Sequence, residues 1–282
     1  MSADQRVLAW CRQVLGRCSV IGRHTPADSS NTVIRLRGGN GHSYIAKQHA
    51  DRVKHDREVH AHVHWAPALG EQAARLVATD QALRVVLVTA LPGRPHNPTG
   101  NPDIDGPIHQ QAGALLRRLH SAEPATPLPD FARGMRTRLT SWLERSAGLL
   151  TSEEQALVRR HVDALAELPT PEGVPCHLDY QPRNWLIDPI AGLGVVDFEH
   201  ARVDATVRDL VRLTFRHWRM QPVLRDAFFD GYGRRLDDVE DRVLTHCAAL
   251  DAVTAIARAH VTNDSVLGVH GRTTLAELPR RL

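Results

Sequence analysis

Two carboxylates and one amide set the chemistry this chain is equipped for: Asp179, Asn184 and Asp197, all within the run CHLDYQPRNWLIDPIAGLGVVDFE from Cys176 to Glu199. Trp185-Leu186-Ile187 and Leu193-Gly194-Val195-Val196 are apolar strand-like runs, and Asp188-Pro189 with Ala191-Gly192 between them is turn chemistry. The pattern predicts a hairpin. If Leu186 pairs with Val195, Asn184 lies opposite Asp197, and cross-strand partners sit roughly 4.5–5.5 Å apart at their Cβ atoms. An amide oxygen and a carboxylate so placed are expected to share one hard cation that takes oxygen ligands, such as magnesium. Asp179, on the loop entering the hairpin, is left to address a substrate hydroxyl. The three groups together suit a site for magnesium and a phosphoryl group.

Composition supplies a second, independent signal. Of the thirty-five basic residues only Lys47 and Lys54 are lysine. Where arginine serves almost every other cationic position, a retained lysine points to a place that requires a compact ammonium. Lys47 ends the strand-like run Ser43-Tyr44-Ile45-Ala46-Lys47, the return arm of a hairpin whose first arm is Thr32-Val33-Ile34-Arg35-Leu36-Arg37. Gly38-Gly39-Asn40-Gly41 between the arms supplies the positive φ angles such a turn needs. Glu58 follows in a stretch predicted to be helical, Asp51 to Trp65.

His177-Leu178-Asp179, Asn184 five residues after that Asp, and then Asp197-Phe198-Glu199 resemble the catalytic and metal-binding loops of protein kinases, H-R-D-x-x-x-x-N followed by D-F-G. The variant is more similar to the aminoglycoside phosphotransferase family of small-molecule kinases. Leu178 stands where protein kinases usually have Arg and that family Gly, and Glu199 stands where protein kinases have Gly. The resemblance implies an α+β, two-lobed protein-kinase-like fold. A small N-terminal lobe with an antiparallel sheet would cover residues 1–90, and a larger, mostly helical lobe residues 91–282. It implies ATP and Mg²⁺ as cofactors, with Asp179 as catalytic base, Asn184 and Asp197 as metal ligands, and Lys47, braced by Glu58, on the nucleotide phosphates. Ser30 and Asn31 would form the turn over the phosphates. Backbone at the end of the strand-like run Leu83–Thr89 and just beyond it, at Val88, Ala90 and Leu91, would meet the adenine. His177 is read as ordering the loop through backbone contacts rather than as a base.

The stretch after Asp197 decides between protein and small molecule as acceptor. Ala201 to Arg208 is expected to lead almost directly into a helix beginning at Asp209, which leaves no room for the long segment on which protein kinases dock peptides. Asp209-Leu210 resembles the D-L-A piece whose Asp braces the catalytic loop in the aminoglycoside kinase family. The acceptor expected is a hydroxylated small molecule, with an aminoglycoside or similar antibiotic first. Sugars, amino alcohols and biosynthetic intermediates use the same machinery, and a nucleotide-binding pseudokinase is the reading from another class.

At 282 residues, 42% hydrophobic and with a net charge of +3, the chain has the make-up of an ordinary globular protein. Its arginines are dispersed among acids, which argues against nucleic acid as a partner. No apolar run approaches the roughly 20 residues that span a bilayer, no signal peptide is evident, and four cysteines without CxxC pairing suggest reduced thiols in the cytoplasm. His55, His60, His62 and His64 crowd one segment, but the H-E-x-x-H zinc pattern is absent. Helices are expected at Asp4–Arg17, Ile108–His120, Phe131–Leu149, Ser152–Leu168, Pro222–Leu236 and Val239–His260, with a last short one after them. Oligomeric state is left open.

Overall fold

The computed structural model describes residues 3–23 and 31–280. In chain order the elements are α1 (Ala3–Leu15), β1 (Cys18–Arg23), β2 (Thr32–Gly38), β3 (Ser43–Gln48), α2 (Arg52–His64), β4 (Leu76–Asp80), β5 (Val85–Thr89) and the short β6 (Arg94–Pro95). There follow α3 (Pro102–His120), β7 (Thr126–Pro127), α4 (Phe131–Arg145), α5 (Ser152–Ala164), β8 (Glu172–Cys176), β9 (Trp185–Asp188) and β10 (Gly192–Val195). The chain ends with β11 (Arg202–Ala205), α6 (Pro222–Tyr232), α7 (Asp238–Thr262) and α8 (Ser265–Glu277). The fold is mixed α and β, with a helical part and a five-stranded antiparallel sheet. No described helix is long and apolar enough to cross a membrane.

The residues fall into two compact units, 1–98 with 177–202, and 99–176 with 203–282. The lobes expected from sequence are contiguous stretches, whereas these units are not, because the hairpin carrying Asn184 and Asp197 groups with the sheet residues.

The first unit is built on the sheet β1-β2-β3-β5-β4, every pair antiparallel. Alternation dictates its faces. Ile34 and Leu36 of β2, Tyr44 and Ala46 of β3, and Val85 and Leu87 of β5 are buried with Val7 and Cys11 of α1 in one apolar cluster. Lys47, next to Ala46, therefore points to the opposite face, in register with Val33 and Val86. The Asp51 side chain caps α2 by accepting from the Val53 and Lys54 N–H groups.

The β9–β10 hairpin forms a second small sheet with β6. Its register differs by one from the expected pairing: Leu186 lies opposite Gly194 and Trp185 opposite Val195. The turn sets this. The Asp188 carboxylate accepts from the Ile190 and Ala191 N–H groups, both at 2.9 Å. Gly192 takes a left-handed φ of 77°, so the loop closes after three residues instead of four and Asp188 pairs with Gly192. Asn184 then faces Val196, whose N–H donates to the Asn184 carbonyl at 3.1 Å.

The second unit is largely helical. α3 packs along α6, and α7 lies against α4, α5 and α8. α3 starts at Pro102, six residues before the expected Ile108, capped by the Asn101 side chain and running through Pro107. A proline ordinarily marks a helix boundary, and Pro107, in the second turn, forgoes the backbone hydrogen bond its N–H would have donated to the Asp103 carbonyl. The helix expected from Asp209 begins slightly later: β11 leads into a 3₁₀ turn, Thr206–Asp209, and residues 211–212 are helical and run into a π-helical turn at Leu213–His217. Asp209 closes the 3₁₀ turn, buried, with His120 Nε2 3.0 Å from its Oδ2.

Candidate active site

Lys47 is the centre of a charged cluster held by three pieces of the first unit. Its Nζ lies 3.1 Å from Glu58 Oε2 on α2 and 2.9 Å from Glu199 Oε2, and it also donates to Asp197 Oδ1. Strand β3, helix α2 and the turn after β10 thus meet at one ammonium. His49 brings its Nε2 to 2.7 Å from Glu58 Oε2. Phe198, fully buried between Asp197 and Glu199, packs against His62 of α2 and against His177, with ring centroids 5.4 and 4.9 Å apart. That aromatic contact ties the turn to both α2 and the loop that follows β8.

Burial and proximity tune these groups in opposite directions. Burial by itself would lower the Lys47 pKa, but Glu58, Asp197 and Glu199 together raise it above the ordinary lysine value. Burial works against the ionised Glu58 and Glu199, yet Lys47 beside each overrides it, and Glu199 is held at about 2. Asp197 goes the other way: burial, with Glu58 and Glu199 close by, raises its pKa despite Lys47. Of the three carboxylates around one ammonium, Asp197 is the one whose pKa rises, chiefly through burial.

The loop after β8 carries the second half of the site. His177 Nε2 donates to the Val196 carbonyl at 3.0 Å and its Nδ1 accepts the Asp179 N–H at 3.2 Å, so the ring clamps the loop to the end of β10. Asp179 is buried, and three side chains of its own loop point donors at it: Gln181 Nε2 at 2.5 Å to Oδ1, and Arg183 Nη2 at 2.9 Å and Asn184 Nδ2 at 2.7 Å to Oδ2. Asn184 also donates to the Asp179 carbonyl at 2.8 Å. An amide whose donor side is spent in this way presents its oxygen as the acceptor face. Leu178 and Asp197, on either side of the constellation, both have left-handed backbone, φ 62° and 72°.

A model of the phosphotransferase enzyme family matches residues 23–263. The chain belongs to that family. Solved structures share the fold at low identity. A thermostable mutant of aminoglycoside phosphotransferase APH(4)-Ia, in ternary complex with ADP and hygromycin B, is 14% identical with a TM-score of 0.69, covering 96% of each chain. The macrolide 2'-phosphotransferase MphH from Brachybacterium faecium is 15% identical with a TM-score of 0.62, covering 99% of this chain and 100% of its own. A choline/ethanolamine kinase family protein from Mesorhizobium loti is 16% identical with a TM-score of 0.66, covering 99% and 94%. No curated protein matches significantly in sequence.

Within this phosphotransferase the other sequence-expected residues take mixed positions. Ser30 lies outside the described residues. Asn31 is buried, its Nδ2 donating to Glu199 Oε2 at 2.7 Å and its Oδ1 accepting from the Ala50 N–H at 3.2 Å. The site's own acid has captured the amide. Val88 sits half-buried in β5 between Ile45 and Leu76, and the Ala90 N–H is spent on the Ser43 carbonyl at 2.9 Å. Leu91 packs on the hairpin, where a Cβ at Gly194 would come 2.9 Å from Leu91 Cδ1. Sequence reasoning assigned no role to Glu199, Lys54, His49, Gln181 or Arg183. The signal was present for two of them: Glu199 as a departure from the D-F-G pattern and Lys54 as one of only two lysines.

Proposed function

We propose that this phosphotransferase moves the γ-phosphoryl group of ATP, with magnesium, to a hydroxyl of a small molecule, and that the acceptor is an aminoglycoside or another hydroxylated antibiotic. The observation that carries the reading is the meeting of Lys47, Glu58 and Asp197 at one end of the hairpin whose other strand begins beside Asn184. Likeness in fold to enzymes solved with ADP and hygromycin B or with gentamicin supports it. The donor set suits the metal: the Asn184 amide oxygen and the Asp197 carboxylate are the hard oxygen ligands magnesium takes, and the Lys47 ammonium suits the phosphates.

Each residue then has a task. Asn184 and Asp197 hold the metal, and Glu58 braces Lys47 so that its ammonium stays directed at phosphate oxygens. When bound, ATP would supply the transferable phosphoryl group, and magnesium with it would neutralise charge on the phosphate oxygens. Asp179 receives the acceptor O–H, orients its oxygen for in-line attack and takes the proton onto a carboxylate oxygen. Gln181, Arg183 and Asn184 keep that carboxylate in place. Positioning and charge neutralisation supply most of the acceleration in reactions of this kind.

A second reading, an amino-alcohol acceptor, is favoured by the likeness to the choline/ethanolamine kinase family protein. Free thiols at Cys11, Cys18, Cys176 and Cys247 suit a cytoplasmic location. The deciding experiment is a screen of aminoglycosides, macrolides, sugars and amino alcohols for ATP- and magnesium-dependent mass gain of one phosphate. Gain on an antibiotic supports the first reading and gain only on amino alcohols the second. Nucleotide hydrolysis with no acceptor modified rejects both.

A further inference from the structure

Both lysines of the chain end on the same buried carboxylate. Glu199 Oε1 receives Lys54 Nζ at 2.7 Å, while Oε2 receives Lys47 Nζ at 2.9 Å and the Asn31 amide at 2.7 Å. Lys54 and Glu58 are four residues apart on α2, hence one turn apart on the same face. Glu58 holds Lys47, Lys47 meets Glu199, and Glu199 meets Lys54, so charge alternates along the chain of contacts. The Lys54 side chain is 35% exposed whereas that of Lys47 is 13% exposed.

This arrangement addresses a difficulty in the site. Lys47 faces three carboxylates, and an ammonium so surrounded is poorly disposed to turn toward phosphate oxygens. If Glu199 drew its compensation from Lys47 alone, it would compete with the nucleotide for that ammonium. Lys54 supplies Glu199 with a positive charge of its own from the outer side. We propose, on the strength of the functional reading above, that Lys54 is a positioning residue for phosphoryl transfer: by satisfying Glu199 it leaves Lys47 available to the nucleotide phosphates. Lys54 touches neither nucleotide nor acceptor in this role and acts through Glu199.

A plain staple between α2 and the turn after β10 would make a different prediction, and the difference lies in a second substitution. Lys54→Met is expected to raise KM for Mg-ATP on the order of tenfold, with a parallel loss of Mg-ADP affinity by calorimetry, a size within the range for coupled neighbours. Lys54→Arg, which keeps the charge, is expected to recover most of the loss. Removing the competing charge as well, in Lys54→Met/Glu199→Gln, is expected to bring Mg-ADP affinity back to within about threefold of wild type. A staple would leave the double variant as weak as Lys54→Met or weaker. Thermal melts of each variant identify loss of fold, and Lys54→Gln replaces Lys54→Met if the latter melts below the assay temperature. Unchanged Mg-ADP affinity in Lys54→Met, or a double variant no better than the single, overturns the proposal. Failure of the wild type to bind Mg-ADP overturns the functional reading and this inference together.

Discussion

Leu178 and Asp197 each hold a backbone conformation that L-residues with large side chains avoid, and they flank the groups that matter. The Asp197 turn places its carboxylate beside Lys47 immediately after the strand ends. At Leu178 the left-handed φ lets the chain reverse between His177, clamped to Val196, and Asp179. A non-glycine residue there costs about 1–2 kcal/mol, offset in part by the roughly 0.5–1 kcal/mol that glycine's extra freedom in the unfolded chain costs. Leu178→Gly is therefore expected to leave the site geometry intact and stabilise the protein by ~0.5–1 kcal/mol, raising Tm by about 2 °C for a chain of this size. A fall in Tm would mean that Leu178 makes packing contacts worth more than the strain. The lysine at position 47 and the D-x-x-x-x-N spacing were legible in sequence because they depend on residue type and order alone. What Glu199 does was not, because it depends on how a side chain two residues past Asp197 is turned relative to a helix more than a hundred residues earlier.

At the level of elements, the tight fits are between helices. A Cβ on Gly231 of α6 would come 1.8 Å from the Gln110 carbonyl oxygen, and one on Gly113 of α3 would come 1.9 Å from that of Phe228. Two helices whose backbones approach so closely cannot accept even a methyl group without separating. Gly231→Ala is expected to destabilise the second unit by ~3 kcal/mol or more, read by denaturant unfolding. A loss below about 1 kcal/mol would show that the helices slide apart easily. A second contact ties α5 to α7: His161 Nδ1 lies 3.1 Å from His246 Nδ1, and His161 Nε2 lies 2.9 Å from the Pro279 carbonyl. Burial, reinforced by His161, lowers the His246 pKa to about 4, and burial lowers that of His161 as well. The unfolded chain binds these protons near pH 6.5, so its proton uptake exceeds that of the folded state between there and about 4. Stability from the pair is complete above about pH 6.5 and is lost as pH falls toward 4. Thermal melts at pH 7 and 5 are expected to show a smaller drop in Tm for His246→Gln than for wild type, and an equal drop would contradict the assignment. Helix periodicity made α4, α5, α6 and α7 visible in sequence to within a few residues at each end. β1 escaped notice because it is a partly exposed strand with no clean alternation, and the hairpin register escaped because one bond pattern, Asp188 to Ile190 and Ala191, decides loop length.

For the whole molecule, family membership across residues 23–263 and likeness in fold to antibiotic kinases narrow the chemistry to phosphoryl transfer without choosing the acceptor. Fold leaves that choice open because acceptor contacts come from side chains that differ between enzymes sharing the scaffold. The central claim is narrower: Asp179 handles the acceptor hydroxyl, while Lys47, Asn184 and Asp197 handle the nucleotide and its metal. The measurement that tests it most directly is turnover of Asp179→Asn on the acceptor found by screening, run alongside calorimetry of Mg-ATP binding to the same variant. The side chain keeps its size, and the amide retains one oxygen to accept from Gln181 or Arg183. kcat is expected to fall by about 10³-fold or more while Mg-ATP affinity stays within about threefold of wild type. Turnover within tenfold of wild type would contradict the account.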